Sequence, residues 1–164
     1  MLSRALDRNR ESTERNMENR FDPKTLISKY NSLALHEANE ANTRLKLIDE
    51  TVFDLLGWSK QDVSVEDRVS QDGNITYCDY VIRTGMTAFV VEAKRVGVDF
   101  QISSAKRREH LRGKILKGEV GSAIKQAREY AYHLGIPFAA ITNGAQWIIF
   151  PAQRTDQLPT EEWQ

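Results

Sequence analysis

Apolar and β-branched residues are concentrated in two short runs, residues 75–82 and 87–94, on either side of Thr84-Gly85. Runs rich in Val, Ile, Phe, Tyr and Thr that flank a short turn predict two β-strands joined as a hairpin. A third run, residues 62–69, alternates apolar and polar positions and is followed by a turn signal at residues 71–74. We therefore predict a three-stranded meander in the middle of the chain.

Helical periodicity is present on both sides of this meander. Asn31 and Ser32 are candidate N-cap residues, and we predict one long helix that starts there and ends at Gly57. A second helix is predicted over residues 119–134, and it ends at Gly135. The apolar stripe expected on the first helix consists of Ala41, Leu45, Ile48, Val52 and Leu55.

Two further strands complete the predicted sheet. Residues 138–142 and 146–150 are short apolar runs, and Asn143-Gly144 between them is a strong hairpin signal. The resulting order is helix, three strands, helix, two strands, which is typical of an α/β or α+β protein with a mixed sheet flanked by helices. We expect a charged arm over residues 1–24, a folded domain over 25–150, and a polar tail or linker to absent domains over 151–164.

Composition narrows the class of protein. The chain has 164 residues, of which 40% are hydrophobic and 28% charged, as expected for one globular domain. Its 23 Lys and Arg residues balance 23 Asp and Glu residues, so binding to nucleic acid would require a local basic patch. The single Cys78 excludes an internal disulfide, and no apolar run reaches the ~20 residues of a membrane span. We expect a cytoplasmic protein with no membrane contact.

One segment, residues 106–117, is strongly basic and contains a single acid, Glu109. Two interpretations remain open, a solvated helix face or an element that contacts phosphates. The basic residues of this segment are Lys106, Arg107, Arg108, Arg112, Lys114 and Lys117.

Two acids and a lysine interrupt the apolar hairpin. A two-residue turn at Thr84-Gly85 pairs residue 79 with 90, which makes Glu92 the diagonal neighbour of Asp79, with Lys94 on the same face. Diagonal neighbours are roughly 7–8 Å apart, a separation at which two carboxylates can bind one cation between them. Such groups are costly to bury, and two carboxylates suit Mg²⁺, for which Mn²⁺ can substitute. The alternative, a hairpin with three chance polar residues, predicts no metal binding.

Two other polar residues have both a structural and a functional interpretation. Glu40 is spaced to form a surface ion pair with Arg44, or it points to the acidic residues of the hairpin. Gln126 is either a polar residue beside the core or a residue that holds a water or a phosphate. Spacing alone leaves both alternatives open.

The arrangement Asp79, Glu92-Ala93-Lys94 resembles the D-x(n)-E-x-K signature of the PD-(D/E)xK phosphodiesterase superfamily. Within that superfamily the chain resembles the N-terminal nuclease domain of type I restriction enzyme R subunits, over about residues 37–150. Five segments carry this resemblance: Glu40 to Trp58, CDYVI, VVEAKR, QAREYA and AAITNGAQWIIF. Cys78 stands where the superfamily's name has a proline, and no ATP-driven motor motif is present.

The resemblance implies a restriction-endonuclease-like fold and a role for each matching residue. Asp79 and Glu92 would bind Mg²⁺ with the carbonyl of Ala93, and Lys94 would be the catalytic lysine. Glu40 would be the first-helix acid, direct or water-mediated at the metal, and Gln126 the glutamine of a QxxxY-type motif. The residues that we expect to contact DNA are Arg44, Arg95, Lys106, Arg107, Arg108, Arg112, Lys114, Lys117 and Tyr130.

The implied function is Mg²⁺-dependent DNA cleavage that leaves 5′-phosphate and 3′-hydroxyl ends, in a restriction or other anti-phage system. Additional domains or subunits would supply the other activities, and double-strand cutting would need a homodimer or sequential nicking. Two alternatives remain open: a nucleic-acid-binding module that keeps the fold without turnover, and an RNase of the same fold.

Overall fold

A five-stranded mixed sheet forms the centre of the protein. The structure, a computed structural model, describes residues 22–36, 39–71, 74–102 and 110–153. The strands lie side by side in chain order; β3 and β4 are parallel and all other neighbours are antiparallel. The predicted mixed α/β class is therefore confirmed. The strands are β1 (Val63–Gln71), β2 (Asn74–Arg83), β3 (Ala88–Ala93), β4 (Phe138–Thr142) and β5 (Trp147–Pro151).

The helices before β1 differ from the predicted single helix. A first helix, α1, spans Pro23–His36, and a separate helical stretch, α2, starts at Glu40. Asn39 separates α2 from the preceding chain because its backbone is extended and its side chain accepts a hydrogen bond from the Asn42 amide. The stretch α2 consists of α-helix Glu40–Thr43 followed by π-helical turns Arg44–Ile48 and Glu50–Leu55.

The π-helical winding of α2 changes which residues face the sheet. Ile48 and Val52 of the predicted stripe are fully buried, but Leu45 is 64% exposed and Ala41 and Leu55 are also exposed. A π-helical turn contains more residues than an α-helical turn. An apolar stripe predicted from α-helical spacing therefore does not stay on the face that contacts the core. The buried positions of α2 are Thr43, Leu47, Ile48, Thr51 and Val52.

After β3, a 3₁₀ turn at Gly113–Leu116 leads into a long helix, α3 (Gly118–His133). This helix matches the predicted second helix, and Gly135 follows it in the left-handed conformation, with φ of 66°. Because α3 connects the parallel strands β3 and β4, it covers one face of the sheet.

The core has one layer on each face of the sheet. On one face, Ala123, Ile124 and Ala127 of α3 pack against residues that include Val81 and Val90. On the other face, Ile48 and Val52 of α2 pack in a cluster with Tyr80, Ile82, Val91 and Ala140. The central strands are therefore buried on both sides, which explains their almost continuous apolar sequence.

The turn between β2 and β3 is longer than predicted. Arg83 pairs with Ala88, and Val81 pairs with Val90, so the predicted pairing of residue 79 with 90 is wrong. The side chain of Thr84 stabilises the longer loop, because its Oγ1 accepts hydrogen bonds from the amides of Met86 and Thr87. The register changes by an even number of residues, so the shift by itself does not exchange the two faces of the paired strands.

The start of α2 is fastened to the ends of β3 and β4. Thr43 Oγ1 accepts a hydrogen bond from the Val96 amide over 3.0 Å. The β4–β5 turn packs closely on the same segment, since a Cβ at Gly144 would lie 2.9 Å from Leu47 Cδ1. These contacts fix Arg44, the residue after Thr43, near the end of β3.

The predicted ends of the domain stay predictions. Most of the charged arm (residues 1–24) and of the polar tail (residues 151–164) lies outside the described residues. Within the ranges that the structure describes, no helix combines the length and apolar character needed to cross a membrane.

Candidate active site

Asp79 lies at the centre of the predicted site, on β2. Its Oδ2 accepts a hydrogen bond from the Ala93 amide over 2.8 Å, and its Oδ1 lies 3.0 Å from Arg44 Nη1. The β2–β3 register, extended by one pair beyond Tyr80 and Val91, places Asp79 opposite Glu92 rather than diagonal to it. Burial raises the pKa of Asp79, although the Ala93 amide and the charge of Arg44 act in the opposite direction.

Glu92 is a carboxylate in the core of the sheet, with only 2% of the residue exposed. Its Oε1 accepts a hydrogen bond from Lys94 Nζ over 2.6 Å. Among the described residues, its buried Oε2 has no hydrogen-bond partner. Burial first, and then the charge of Asp79, raise the pKa of Glu92 to about 7, against the opposing effect of Lys94.

Lys94 extends from the end of β3 alongside Glu92, and its side chain is 18% exposed. Burial alone would lower the pKa of Lys94, but the hydrogen bond and charge of Glu92 outweigh that effect, with help from Glu40 and Asp79, so the pKa is raised. The Lys94 side chain is therefore an ammonium group at neutral pH, a hydrogen-bond donor and a positive charge.

Glu40 borders this group at the first turn of α2. It is exposed, and its charge contributes to the raised pKa values of both Glu92 and Lys94. Among the described residues, however, no set of three or more His, Cys, Asp or Glu side chains is close enough to hold a metal ion. The expected role of Glu40 as a metal ligand, direct or through water, stays a prediction, and the exposed Glu40 side chain lies at the rim of the site.

Arg44 lies inside the site rather than on a free surface. Its guanidinium contacts Asp79 Oδ1 at 3.0 Å and Glu66 Oε1 at 3.3 Å, and it stacks over the Tyr80 ring at 5.2 Å. The Tyr80 hydroxyl in turn donates a hydrogen bond to Asp49 Oδ1. Although burial opposes it, the pKa of Arg44 is raised by its contact with Tyr80 and the charge of Asp79. The acidic partners of Arg44 are thus Asp79 and Glu66 rather than Glu40. The predicted role of Arg44 in binding DNA stays a prediction.

Sequence reasoning missed Glu66, the second acid that binds Arg44. Val65 pairs with Tyr80 and Asp67 pairs with Cys78, so Glu66 lies opposite Asp79 in β1. Glu66 has a left-handed backbone, with φ of 54°, which is unusual for a residue other than glycine. The turn signal at residues 71–74 contained this information, because a tight turn there already places residue 66 across from residue 79.

Gln126 and Tyr130 form a pair on α3. Gln126 Nε2 donates a hydrogen bond to the Tyr130 hydroxyl over 2.9 Å, and Tyr130 is buried in the cluster that packs on α3. The predicted DNA contact of Tyr130 stays a prediction. The proposed role of Gln126 in holding water or phosphate stays a prediction.

The basic residues expected to contact DNA are distributed over two regions. Arg95 is exposed directly after Lys94. Arg112, Lys114 and Lys117 are exposed and line an open cleft of about 1060 Å³, together with Gly97 and residues at the start of α3. Lys106, Arg107 and Arg108 lie outside the described residues.

Comparison with known proteins gives no independent assignment, since no protein-family model and no curated protein matches this chain. The carboxylates of Asp79 and Glu92 themselves show whether a divalent cation fits this site. Mg²⁺ prefers oxygen ligands and typically takes one or two carboxylates together with waters. Glu92 offers a buried oxygen without a partner among the described residues, and Asp79 lies opposite it. The site therefore fits a divalent cation with two protein carboxylates.

Proposed function

We propose that this protein is a Mg²⁺-dependent endonuclease that hydrolyses phosphodiester bonds in DNA. The observation that carries the proposal is the buried Glu92 carboxylate, which has one oxygen bonded to Lys94 and the other unpartnered among the described residues, opposite Asp79. An unsatisfied buried carboxylate oxygen costs stability, so its presence favours a functional explanation. The resemblance to the PD-(D/E)xK nucleases, carried by the same three residues, supplies the reaction class.

Asp79, Glu92 and the carbonyl of Ala93 would hold the ion. A bound Mg²⁺ polarises a phosphoryl oxygen and lowers the pKa of a coordinated water. The chain itself contributes position and charge. The Ala93 amide orients the Asp79 carboxylate, and Lys94 orients Glu92 through their hydrogen bond. The Lys94 ammonium can stabilise negative charge that develops on the phosphate.

The cleft lined by Arg112, Lys114 and Lys117 is the proposed path for the nucleic-acid backbone. Its wall at Gly97 follows Lys94 closely in the chain, so phosphates in the cleft would lead toward the carboxylates. Cleavage in a restriction or anti-phage system, with partner domains or subunits, is the biological context that the resemblance suggests for this activity.

One observation favours a second candidate, a nucleic-acid-binding module without turnover. Asp79 and Glu92 are each already paired with a basic side chain, Arg44 and Lys94 respectively. Paired carboxylates of this kind can be purely structural, in which case no divalent cation binds and no cleavage follows.

The test is cleavage of supercoiled DNA, linear DNA and a structured RNA in Mg²⁺, Mn²⁺ or EDTA. Wild type is compared with Lys94→Met and with Lys125→Met, a control at an exposed lysine that pairs only weakly with Glu129. We expect metal-dependent cleavage of DNA by wild type and Lys125→Met, and none by Lys94→Met. Preferential cleavage of RNA would instead indicate the RNase alternative.

A second measurement separates a silent module from a gated enzyme. If wild type cleaves no substrate, the melting temperature is recorded with and without Mn²⁺ for wild type and Glu92→Gln. A ligand at about 100 times its Kd stabilises a protein by about 2.7 kcal/mol. A Mn²⁺-dependent rise in melting temperature that is absent in Glu92→Gln would support the metal site. No rise in wild type would favour the binding module.

A further inference from the structure

Arg44 is bound where a metal ion would have to bind. Its Nη1 lies 3.0 Å from Asp79 Oδ1, while the Ala93 amide donates to Oδ2 of the same carboxylate. Both oxygens of Asp79 are therefore engaged. A divalent cation that coordinates Oδ1 must share this oxygen with a guanidinium or displace it, and the two positive charges repel each other.

A second carboxylate is available to receive Arg44. Glu66 Oε1 lies 3.3 Å from the same Nη1 and belongs to an exposed side chain, so it retains access to water. The left-handed backbone at Glu66 is strained for a residue with a side chain, and it occurs directly opposite Asp79. The contact of Arg44 with the Tyr80 ring and the bond from Tyr80 to Asp49 keep the guanidinium close to both acids.

We infer that Arg44 is an internal counter-cation that competes with the divalent ion for Asp79, and that Glu66 sets the strength of this competition by offering Arg44 another partner. This inference rests on the proposed metal-dependent function. It makes Arg44 and Glu66 positioning residues that control metal affinity without being ligands.

The sign of the effect distinguishes this role from a structural one. If Arg44 only supported the shape of the site, its removal would disorder Asp79 and weaken metal binding. If Arg44 competes with the ion, its removal strengthens metal binding. Removal of Glu66 leaves Arg44 with Asp79 as its remaining carboxylate contact at this position, so it should weaken metal binding.

The experiment is calorimetric titration of Mn²⁺ into the full chain at pH 8 and constant ionic strength. The proteins are wild type, Arg44→Met, Glu66→Gln, the double variant and Glu92→Gln. Arg83→Met and Glu129→Gln are charge-matched controls, because Arg83 pairs with Asp67 and Glu129 with Lys125, and neither ion pair includes Asp79.

We expect Arg44→Met to lower the Kd for Mn²⁺ at least about tenfold, the scale on which outer-shell residues change metal affinity. Glu66→Gln should raise the Kd severalfold, and the double variant should lie much closer to Arg44→Met than the sum of the two single effects, since Glu66 acts mainly through Arg44. The control variants should stay close to wild type. Binding that appears only after Arg44 is removed would also support the inference.

One outcome would overturn the inference and leave the proposed function intact: wild type binds Mn²⁺ and Glu92→Gln does not, but Arg44→Met binds Mn²⁺ no more tightly than wild type. If Arg44→Met does not fold, the exposed Glu66→Gln substitution decides, and an unchanged Kd there rejects the competition. If no variant binds Mn²⁺, the proposed metal-dependent function fails and the inference fails with it.

Discussion

Lys94 Nζ lies 2.6 Å from Glu92 Oε1, and this is the only hydrogen bond that the described residues make to the buried Glu92 carboxylate. The pair is thus asymmetric: the lysine is partly exposed, whereas the glutamate is almost completely buried. Loss of the lysine would leave a carboxylate in the core without any partner, which is more costly than loss of an exposed ion pair.

Lys94→Met should therefore destabilise the protein as well as abolish cleavage. We expect a loss of about 1–3 kcal/mol in the free energy of unfolding at pH 8, measured by urea denaturation in EDTA. The loss should shrink at pH 5, where protonation of Glu92 removes the unpaired charge. Lys125→Met should change stability by less than about 0.5 kcal/mol. A Lys94→Met protein as stable as wild type at pH 8 would show that the pair of Lys94 and Glu92 does not contribute to the stability of the fold.

The pKa of Glu92 predicts how stability depends on pH. Burial and the charge of Asp79 raise this pKa from 4.5 to about 7, so the folded state binds the proton more tightly than the unfolded state. The associated stability is complete below pH 4.5 and is lost as the pH rises through about 7. The raised pKa of Asp79 acts in the same direction.

We accordingly expect the free energy of unfolding in EDTA to fall by about 1–3 kcal/mol between pH 5 and pH 8, since one pKa unit corresponds to about 1.4 kcal/mol. Glu92→Gln should remove most of this dependence and should be more stable than wild type at pH 8. Urea denaturation across this range is the measurement, with Glu129→Gln as the control at an exposed acid. A steep pH dependence that persists in Glu92→Gln would assign the effect to other groups.

The three residues at the centre of the site could be found from the sequence because strand alternation survives an error in register. Asp79, Glu92 and Lys94 were placed on one face with a two-residue turn, and the longer turn shifts the pairing by an even number of residues. The predicted length of the turn was wrong because the side chain of Thr84 closes a longer loop. Strand propensities contain no information about this side-chain hydrogen bonding.

The helical layer was harder to predict. Asn39 followed by Glu40 is a helix start, but the prediction placed the start of a single helix earlier, at Asn31 or Ser32. No local sequence pattern predicts the π-helical winding of α2 or the hydrogen bond from the Val96 amide to Thr43. For the same reason the bond between Arg44 and Asp79 was not foreseen, as it depends on the position of α2 over the sheet.

The close packing of Gly144 on α2 predicts a coupling between the β4–β5 turn and the site. Gly144 has φ of 87°, and a Cβ there would meet Leu47 at 2.9 Å and Thr43 at 3.4 Å. Gly144→Ala combines a strained backbone with a steric contact at the segment that carries Arg44. We expect a loss of about 1–3 kcal/mol in unfolding free energy together with a changed Kd for Mn²⁺.

Gly85→Ala is the matched control for this prediction, because a Cβ at Gly85 meets nothing within 4 Å. It should leave both stability and the Kd for Mn²⁺ near the wild-type values. If Gly144→Ala reduces stability but leaves Mn²⁺ binding unchanged, the turn supports the fold without influencing the position of Arg44.

The cleft lined by Arg112, Lys114 and Lys117 leads to a separate prediction about nucleic-acid binding. Arg112, Lys114 and Lys117 are exposed around one opening, so substitution of all three by Gln should weaken DNA binding and reduce its dependence on salt. Each lost phosphate contact lowers the slope of log K against log salt by about 0.9 on duplex DNA. The measurement is fluorescence anisotropy with a labelled duplex from 50 to 300 mM salt, roughly the range over which such contacts are resolved. Lys125→Gln, on the exposed side of α3, should leave the slope unchanged, and an unchanged slope in the triple variant would place the DNA path elsewhere on the protein.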